Sequence, residues 1–481
     1  MKLDTMAPNA ANETNNRSLV FDSKDSPVDE EALSHLLNGV EDADLAAPPV
    51  VLPDFHHKGT MEMPSSIAVA TRGTIRPTLT SASLNCGMAL VALDIERPSI
   101  GSIVEFYRKV RERFPFPAAH RRDLSVEDVL RCAAEGARFA VDRFGVEPSE
   151  RERIELNGRV PIEAYGGIGR IRQELPWSVL QLSRMRFGTI GPSNHFIELQ
   201  QVEEILDPVA AARLGVRRGQ VTLQYHGGGG VLAGELGALF GRRKRRTKPL
   251  RAQMAITKPL FHLASSESMS ELKLRLSLYF SDEYPAIPRD SSEGERLMLA
   301  NALSMNYGFA YRLATYAGLR QLARESFGDH PSRLIVDSPH NSIYEEDVNG
   351  AVATVHRHNS CRAYPASLMP KGTAFGDVGQ ALLLPGTNRT SSYLCVAGEG
   401  VQKSLHSTCH GAGTVIDDFA SRGLSATDPK YRKTMRFRYS DEVSRTVPHL
   451  DDRGVNEALS ILMDHDLARP VARMRPFAVL N

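Results

Sequence analysis

Paired cysteines, long apolar runs and an excess of charge of one sign are all missing from this chain of 481 residues. Its five cysteines are scattered and form no CxxC pair, which argues against a disulfide framework or a zinc ribbon and indicates a reducing compartment. No apolar stretch approaches the ~18 residues of a membrane span, and the N-terminus lacks the apolar core of a signal peptide. We therefore expect a cytoplasmic protein without a membrane partner.

The charges nearly balance, with 58 Lys and Arg against 57 Asp and Glu. Any nucleic-acid partner must therefore be held by a local basic patch, because overall charge would not attract it. The segment GRRKRRTKPLR at 241–251 is densely basic, and two interpretations stay open for it: a solvated loop, or a contact to a phosphate backbone.

The organisation of the chain favours an α+β fold with a single large domain over residues 49–481. Helical and strand-like segments are interspersed without a clean βαβ rhythm, and no long linker divides this range. Residues 1–48 are polar and acid-rich, so we expect a disordered N-terminal extension, apart from a short helix at VDEEALSHLL.

Periodicity predicts two long helices and several strands. One helix should run from Ser125 to Phe144, since Ser125 and Asp128 match a capping box and Gly145 suits a C-terminal stop. The other should cover 293–328, where apolar residues recur at helical spacing. The predicted strands lie at 66–71, 88–93, 252–258, 274–280, 351–358 and 380–386.

Five segments carry a cysteine or histidine beside glycine, proline or a short polar run. Cys86, in LNCGM, is either a small buried core residue or a thiolate metal ligand able to bridge two ions. His195 follows Asn194 and comes three residues before Glu198. If a helix begins here, His195 and Glu198 share one face; the alternative is a helix cap with an exposed histidine behind it.

The other three segments suit metal or phosphate binding. His226 precedes four glycines, which form either a flexible loop or a close backbone approach to an anion. His340 and Asn341 form either a polar turn or a metal ligand beside a phosphate-binding amide. His410, in CHGAG, can act as a nucleophile toward phosphorus if its other nitrogen is oriented by a partner. A P-loop is absent, so any nucleotide must bind by another route.

Taken in order, these segments resemble the RtcB family of RNA-splicing ligases, which join RNA ends with GTP and manganese. The resemblance runs from about residue 50 to the C-terminus, and its most specific segments are NHFIE and CHGAG. It is also carried by the segments PDFHH, NCGM, QYHGGGG, PHNSIYEE, LLLPGTNRTSSYLCVAG and VARMRPFAVLN. The family fold implies mixed sheets and helices around a central dinuclear metal site.

The resemblance assigns roles position by position. Cys86, His195, His226 and His340 match the manganese ligands, with the cysteine shared by two ions, and His410 matches the histidine that becomes guanylylated. The positions that match residues around the GTP are Asn194, Glu198, Asn341, Thr387 and Ser392.

Several positions depart from the family pattern. Ser83 stands where a metal-binding aspartate is usual, so one ion should bind more weakly. Thr414 replaces an arginine, Asn481 a nucleotide-contacting lysine, and His449 falls near the tyrosine that stacks on guanine. His358-Asn359 replaces Lys-Gly. Losing cations near a triphosphate or base weakens nucleotide binding or changes base preference. Together, these departures predict a divergent paralogue.

The function that the resemblance implies is ligation of RNA 3′-phosphate or 2′,3′-cyclic phosphate ends to 5′-hydroxyl ends, in RNA repair or tRNA splicing. Two alternatives stay open: a nucleic-acid 3′-end capping enzyme with altered nucleotide preference, and a non-catalytic nucleic-acid-binding paralogue. The sequence leaves open the RNA target, an activating protein partner and the oligomeric state.

Overall fold

The computed structural model describes residues 17–40, 42–116, 123–188, 190–191, 195–241, 248–281, 284–441 and 443–481. The α-helices are α1 (Glu30–Asn38), α2 (Ile100–Arg113), α3 (Val126–Glu135), α4 (Ala137–Phe144), α5 (Gly167–Glu174), α6 (Trp177–Met185), α7 (Pro208–Leu214), α8 (Gly230–Leu239), α9 (Lys248–Ser265), α10 (Met269–Leu276), α11 (Ser292–Phe327), α12 (Gly413–Ser421) and α13 (Arg453–Asp464).

The strands alternate irregularly with these helices along the chain. They are β1 (Leu19–Val20), β2 (Val50–His56), β3 (Ser65–Thr71), β4 (Thr74–Ile75), β5 (Gly87–Leu93), β6 (Phe196–Ile205), β7 (Val221–Gly227), β8 (Ile287–Pro288), β9 (Ser332–Pro339), β10 (Asn341–Val348), β11 (Ala351–His358), β12 (Ser360–Arg362), β13 (Ala381–Leu384), β14 (Ser392–Ala397), β15 (Ser407–Cys409), β16 (Lys433–Phe437), β17 (Arg445–Pro448) and β18 (Ala468–Leu480).

A nine-stranded sheet forms the centre of the molecule. Its main path has the order β13-β14-β18-β6-β7-β5-β9, and β16 pairs with β18 while β17 pairs with β16. Along that path, all neighbouring strands whose registers are given run antiparallel, whereas β16 lies parallel to β18. A second sheet has the order β1-β2-β3-β11-β10, and β12 pairs with β15. This mixture confirms the predicted α+β class.

The long helix α11 is the main helical element packed against the central sheet. Ser291 caps it by accepting a hydrogen bond from the Gly294 backbone N–H. Nearly every side chain from Glu293 to Leu319 is buried, because the helix packs against neighbours on several sides. Helices α2, α3, α4 and α8 all lie against it.

Three predictions about local structure need correction. The helix predicted from Ser125 to Phe144 is broken into α3 and α4 at Gly136, whose φ of 60° and whose contact with the Gly158 carbonyl oxygen leave no room for a Cβ. The segments 252–258 and 274–280 are not strands, since they belong to α9, α10 and the π-helical turn after α10. The capping box of Ser125 with Asp128 is confirmed.

The N-terminal extension is partly folded. Helix α1 buries Leu33, Leu36 and Leu37 against the strands β2 and β3, and β1 pairs with β2. The short helix predicted at VDEEALSHLL is confirmed as α1, and β1 is a second folded element of the extension; residues 1–16 lie outside the described residues. Among the helices of the described ranges, none is long and apolar enough to cross a membrane.

Candidate metal and nucleotide site

Four neighbouring strands of the central sheet bring the predicted metal ligands to one edge. His195 directly precedes β6, His226 lies near the end of β7, Cys86 directly precedes β5 and His340 directly follows β9. Because these strands are antiparallel neighbours in the order β6-β7-β5-β9, their starts and ends alternate along the same edge. The register pairs Phe196 with His226, which places the residues in adjacent positions.

The donor atoms of these residues are close enough to share a cation. Cys86 Sγ lies 3.1 Å from His226 Nε2 and 3.6 Å from His195 Nε2. One donor atom each of Cys86, His226 and His340 falls within 4.8 Å of the others, and all three side chains are buried. His340 Nδ1 is buried without a hydrogen-bond partner in the described part of the chain. A divalent ion would satisfy such a nitrogen, so this group, which we call the metal cluster together with His195, can hold a metal.

Burial keeps two of these ligands, Cys86 and His340, uncharged when no ion is bound. It raises the pKa of the Cys86 thiol to about 12, against the opposing effects of Arg312 and a hydrogen bond from Ser83. Burial also depresses the pKa of His340 well below its usual value, and His410 and His226 act in the same direction. Metal ligands must be deprotonated, and a bound dication reverses the electrostatic preference of a thiol, so binding here is coupled to proton release.

A buried arginine fixes the backbone that carries Cys86. Arg312, on α11, donates hydrogen bonds to the Asn85 side-chain oxygen at 2.6 Å, to the Asn85 carbonyl oxygen and to Asp337 Oδ1 at 2.6 and 2.8 Å. Asn85 has a left-handed φ of 56°, and its N–H donates to the carbonyl oxygen of Asn341. Gly87 sits so close to Ser338 that a Cβ would lie 2.7 Å from its carbonyl oxygen. The turn that aims the thiol is therefore held from several sides.

The glycines after His226 allow close packing of the backbone around the metal cluster. A Cβ on Gly228 would lie 3.4 Å from His195 Nε2 and 3.3 Å from Ser83 Oγ. A Cβ on Gly229 would lie 1.9 Å from the Leu84 carbonyl oxygen, which excludes any side chain there. The sequence left a flexible loop and a close backbone approach to an anion open for this run, and the close approach in the structure is to the metal cluster and to the loop before Cys86.

His410 lies beside the metal cluster and has one nitrogen oriented. It directly follows β15, and its ring centroid is 4.5 Å from that of His340. Its Nδ1 is 3.0 Å from the Asn359 carbonyl oxygen, which can only accept, so Nδ1 carries the proton and Nε2 carries the lone pair. Burial lowers the pKa of the half-buried ring to about 4, which keeps it neutral at physiological pH. Neutral imidazole with a free Nε2 is the nucleophilic form.

Asp54 and His56 are two polar residues near His410 that had no role in the sequence-based prediction. The Thr414 hydroxyl oxygen is hydrogen-bonded to His56 Nδ1 at 3.1 Å. The backbone N–H of Thr414 donates to Asp54 Oδ1 at 2.6 Å. Asp54 has a φ of 68°, and burial raises its pKa to about 6. Asp54 and His56 both lie in PDFHH. The resemblance of that segment to the family was the signal in the sequence that could have pointed to them.

A second polar group lies on β6 and β14 and begins at Glu198, three residues after His195. Gln200 Nε2 donates to Glu198 Oε1 at 2.7 Å and lies 3.2 Å from Ser392 Oγ, which accepts from the Gly386 N–H. Burial raises the pKa of Glu198 to about 8, so near neutral pH its carboxyl can donate as well as accept. Thr387 lies in the adjoining turn, and its hydroxyl oxygen accepts a hydrogen bond from the Arg389 N–H at 3.2 Å.

The remaining predicted residues fall into three groups. Asn341 bridges the site, because its Nδ2 donates to the Ser83 carbonyl oxygen at 3.3 Å and its Oδ1 accepts the Asn359 N–H at 2.9 Å. Asn194 lies outside the described residues. The helix considered at His195 is wrong, since β6 begins at the next residue; His195 lies at Cys86, whereas Glu198 contacts Gln200.

The departures from the family pattern also have definite surroundings. His449 is buried, and its Nε2 is 2.7 Å from Thr434 Oγ1. Asn481 accepts a hydrogen bond at its Oδ1 from Arg436 Nε at 2.8 Å. The places of the expected tyrosine and lysine are thus taken by side chains that are already paired within the protein.

Comparison with known proteins gives one family. The family model described as tRNA-splicing ligase RtcB matches residues 41–481. The chain is 28% identical to the tRNA-splicing ligase RtcB of Pyrococcus horikoshii over 417 residues, which is 82% of this chain but 44% of that relative. It is 26% identical to the tRNA-splicing ligase RtcB of Thermococcus kodakarensis, covering 89% of this chain and 86% of the relative.

A bacterial relative agrees with these two. The chain is 26% identical to the RNA-splicing ligase RtcB of Mycobacterium tuberculosis over 433 residues, covering 85% of this chain and 90% of the relative. The chain spans less than half the length of the first three archaeal relatives, at 44%, 42% and 39%. With the family model matched over nearly the whole sequence, the chain belongs to the RtcB family.

Proposed function

We propose that this protein is a metal- and nucleotide-dependent ligase that joins RNA 3′-phosphate or 2′,3′-cyclic phosphate ends to 5′-hydroxyl ends. The observation that carries the proposal is His410, whose Nδ1 is bound to the Asn359 carbonyl oxygen and whose ring lies 4.5 Å from His340 in the metal cluster. A neutral, oriented imidazole beside a cation site is the arrangement needed to attack a phosphorus atom.

The metal would be held by Cys86, His195, His226 and His340. Thiolate and imidazole donors suit divalent transition metals, and we propose manganese because the family resemblance implies it. When bound, the metal would neutralise phosphate charge and favour the orientation of the α-phosphorus. The position of Ser83 leaves the donor set without the carboxylate that hard cations prefer.

The covalent step follows from the state of His410. Its Nε2 lone pair attacks the α-phosphorus of GTP, the bond to the bridging oxygen of the β-phosphate breaks, and pyrophosphate leaves. The product is GMP linked to the histidine by a phosphoramidate bond. The Asn359 carbonyl oxygen, 3.0 Å from Nδ1, stabilises the positive charge that develops on the ring. Binding of the nucleotide is assigned to Asn194, Glu198, Asn341, Thr387 and Ser392.

Ligation then takes two further transfers. A 3′-phosphate oxygen of the RNA displaces His410 from phosphorus, so that GMP is joined to the RNA end. The 5′-hydroxyl of the second RNA attacks that 3′-phosphorus, a 3′,5′-phosphodiester forms and GMP leaves. A 2′,3′-cyclic phosphate end would first be opened by hydrolysis. Positioning and charge neutralisation supply most of the catalysis in phosphoryl transfer.

A second candidate is an enzyme with altered nucleotide preference that stops at capping the 3′ end. It is favoured by His449, which is buried and bonded to Thr434, and by Asn481, which is bonded to Arg436. Neither side chain offers what a tyrosine stack or a lysine charge would offer to guanine.

The test is adduct formation. Purified protein is incubated with manganese and each of the four α-labelled nucleoside triphosphates, then run on a denaturing gel. We expect a labelled band that is absent from His410→Ala and retained in His465→Ala, a histidine elsewhere on the protein. A band with GTP and joined RNA products support ligation; a band with another nucleotide, or capped ends without joining, supports the second candidate. Protein that binds manganese but gives no band with any nucleotide would refute both.

A further inference from the structure

Two arginines face each other across the strand pair β16–β17. The register places Arg436 directly opposite Arg445, and Arg438 follows two positions beyond Arg436, just after the end of β16. Like charges directly opposite on adjacent strands destabilise a sheet. A bound anion would offset this repulsion, and we call Arg436, Arg438 and Arg445 the arginine patch.

The charges around the arginine patch do not cancel within the described residues. Asp441 Oδ2 lies 3.5 Å from Arg445 Nε, and Glu442 is outside the described residues. Arg111 reaches the same place from α2 and donates to the carbonyl oxygens of Arg438 and Asp441. Burial lowers the pKa of Arg436, and the nearby Arg438 and Arg445 act in the same direction, whereas Asp441 opposes them.

The arginine patch lies at the same sheet edge as the metal cluster. Strand β16 is parallel to β18 with Phe437 beside Leu480, and Leu480 is paired with Ile197 of β6, two residues after His195. Two inter-strand spacings separate β16 from β6, which is about 10 Å. Arg436 is held toward this edge by its bond to Asn481.

We propose that the arginine patch binds the phosphate backbone of the single-stranded RNA whose end reaches His410. This inference rests on the proposed function for the identity of the strand. The three guanidinium groups are spread over two strands and about 7 Å along β16, which exceeds the reach of one phosphate group and suits successive phosphodiesters. Arginine binds phosphate through paired donors, and such contacts carry no base preference.

The test measures binding directly. A labelled single-stranded oligoribonucleotide with a 5′-hydroxyl is titrated with wild-type protein, with R436Q/R438Q/R445Q and with the matched control R108Q/R131Q/R324Q, whose arginines are exposed on helices α2, α3 and α11. Fluorescence anisotropy is recorded over a range of salt. The arginine patch variant should bind at least tenfold more weakly, and its logarithmic salt slope should fall by about 2, at ~0.7 for each lost phosphate contact.

Two further measurements keep the inference separate from other causes. R436K/R438K/R445K retains the charge and should retain most of the affinity, which a purely structural role of the arginines would not predict. Adduct formation on His410 needs no RNA, so it is scored independently in wild-type protein: its failure refutes the proposed function and leaves the arginine patch standing. An unchanged affinity and salt slope in R436Q/R438Q/R445Q would overturn the inference.

Discussion

Replacing Ser83 by aspartate should tighten metal binding, and the structure allows the size of the effect to be worked out. A Cβ on Gly228 would lie within 3.4 Å of both Ser83 Oγ and His195 Nε2, so these two atoms are near each other. A carboxylate at position 83 would therefore enter the metal cluster. The Ser83 hydroxyl already lowers the pKa of Cys86 by hydrogen bonding, although burial dominates and raises it. Position 83 therefore faces the Cys86 thiol.

The expected gain is a balance of two large terms. One carboxylate charge about 4 Å from a dication is worth about 8 kcal/mol at an effective dielectric constant of ~20. Taking that carboxylate out of water beside buried groups costs several kcal/mol. We expect about 2–3 kcal/mol to remain, which corresponds to a roughly 30- to 150-fold lower Kd for manganese.

Titration calorimetry with manganese on purified apoprotein measures the change, with the paramagnetic resonance of free manganese as a second readout. Ser83→Asn is the matched control, because it has nearly the same shape as Ser83→Asp and no charge. An unchanged Kd in Ser83→Asp, or an equal gain in Ser83→Asn, would show that position 83 does not coordinate the ion and that its alignment with the family aspartate is wrong.

Two other changes test the surroundings of the site. His356 is fully buried, accepts the Arg76 N–H at Nε2 and donates to the Val69 carbonyl oxygen, and burial lowers its pKa to about 4. Because the unfolded state binds more protons below pH ~6.5, this histidine should cost about 3 kcal/mol of unfolding free energy between pH 7 and pH 4, and urea unfolding should show a flatter pH dependence in His356→Gln. Arg312→Lys loses the fork that holds Asn85 and should weaken manganese binding ~10- to 100-fold by calorimetry; unchanged affinity would mean that the Cys86 turn is fixed without it.

The fold was predictable where local signals agree with tertiary packing. The helix from Ser292 to Phe327 has both apolar content and a capping serine, and it was found. Helix α9 was mistaken for a strand because AQMAITK is short, apolar and β-branched. What stabilises it is non-local: Lys258 Nζ donates to the carbonyl oxygens of Gly241 and Tyr279, and His262 Nε2 bonds to that of Leu239. Such bonds leave no periodic trace in a sequence.

The N-terminal extension shows the same limit from the opposite side. Its acidic composition predicted disorder around a short helix at VDEEALSHLL. That helix is α1, which Asp29 caps by accepting from the N–H groups of Glu31 and Ala32. A nine-residue helix of this kind is marginal alone and depends on β2 and β3 for its burial. The average composition of a segment does not show the few residues, here Asp29 and the leucines of α1, that determine whether the segment folds.

The candidate site was predictable as a set of residues but not as a geometry. Cys86, His195, His226 and His340 are spread over more than 250 positions, and only the antiparallel order β6-β7-β5-β9 places their backbones at one edge. Considered locally, His195 suggested a helix with Glu198, whereas the strand that begins at Phe196 directs Glu198 toward Gln200 and Ser392. The sheet edge therefore places the candidate cation ligands at the strand ends, and the polar group of Glu198 begins three residues after His195. Because antiparallel pairing sets both distances at once, a one-residue slip of β6 against β7 would remove His195 from the metal cluster and turn Glu198 to the opposite face.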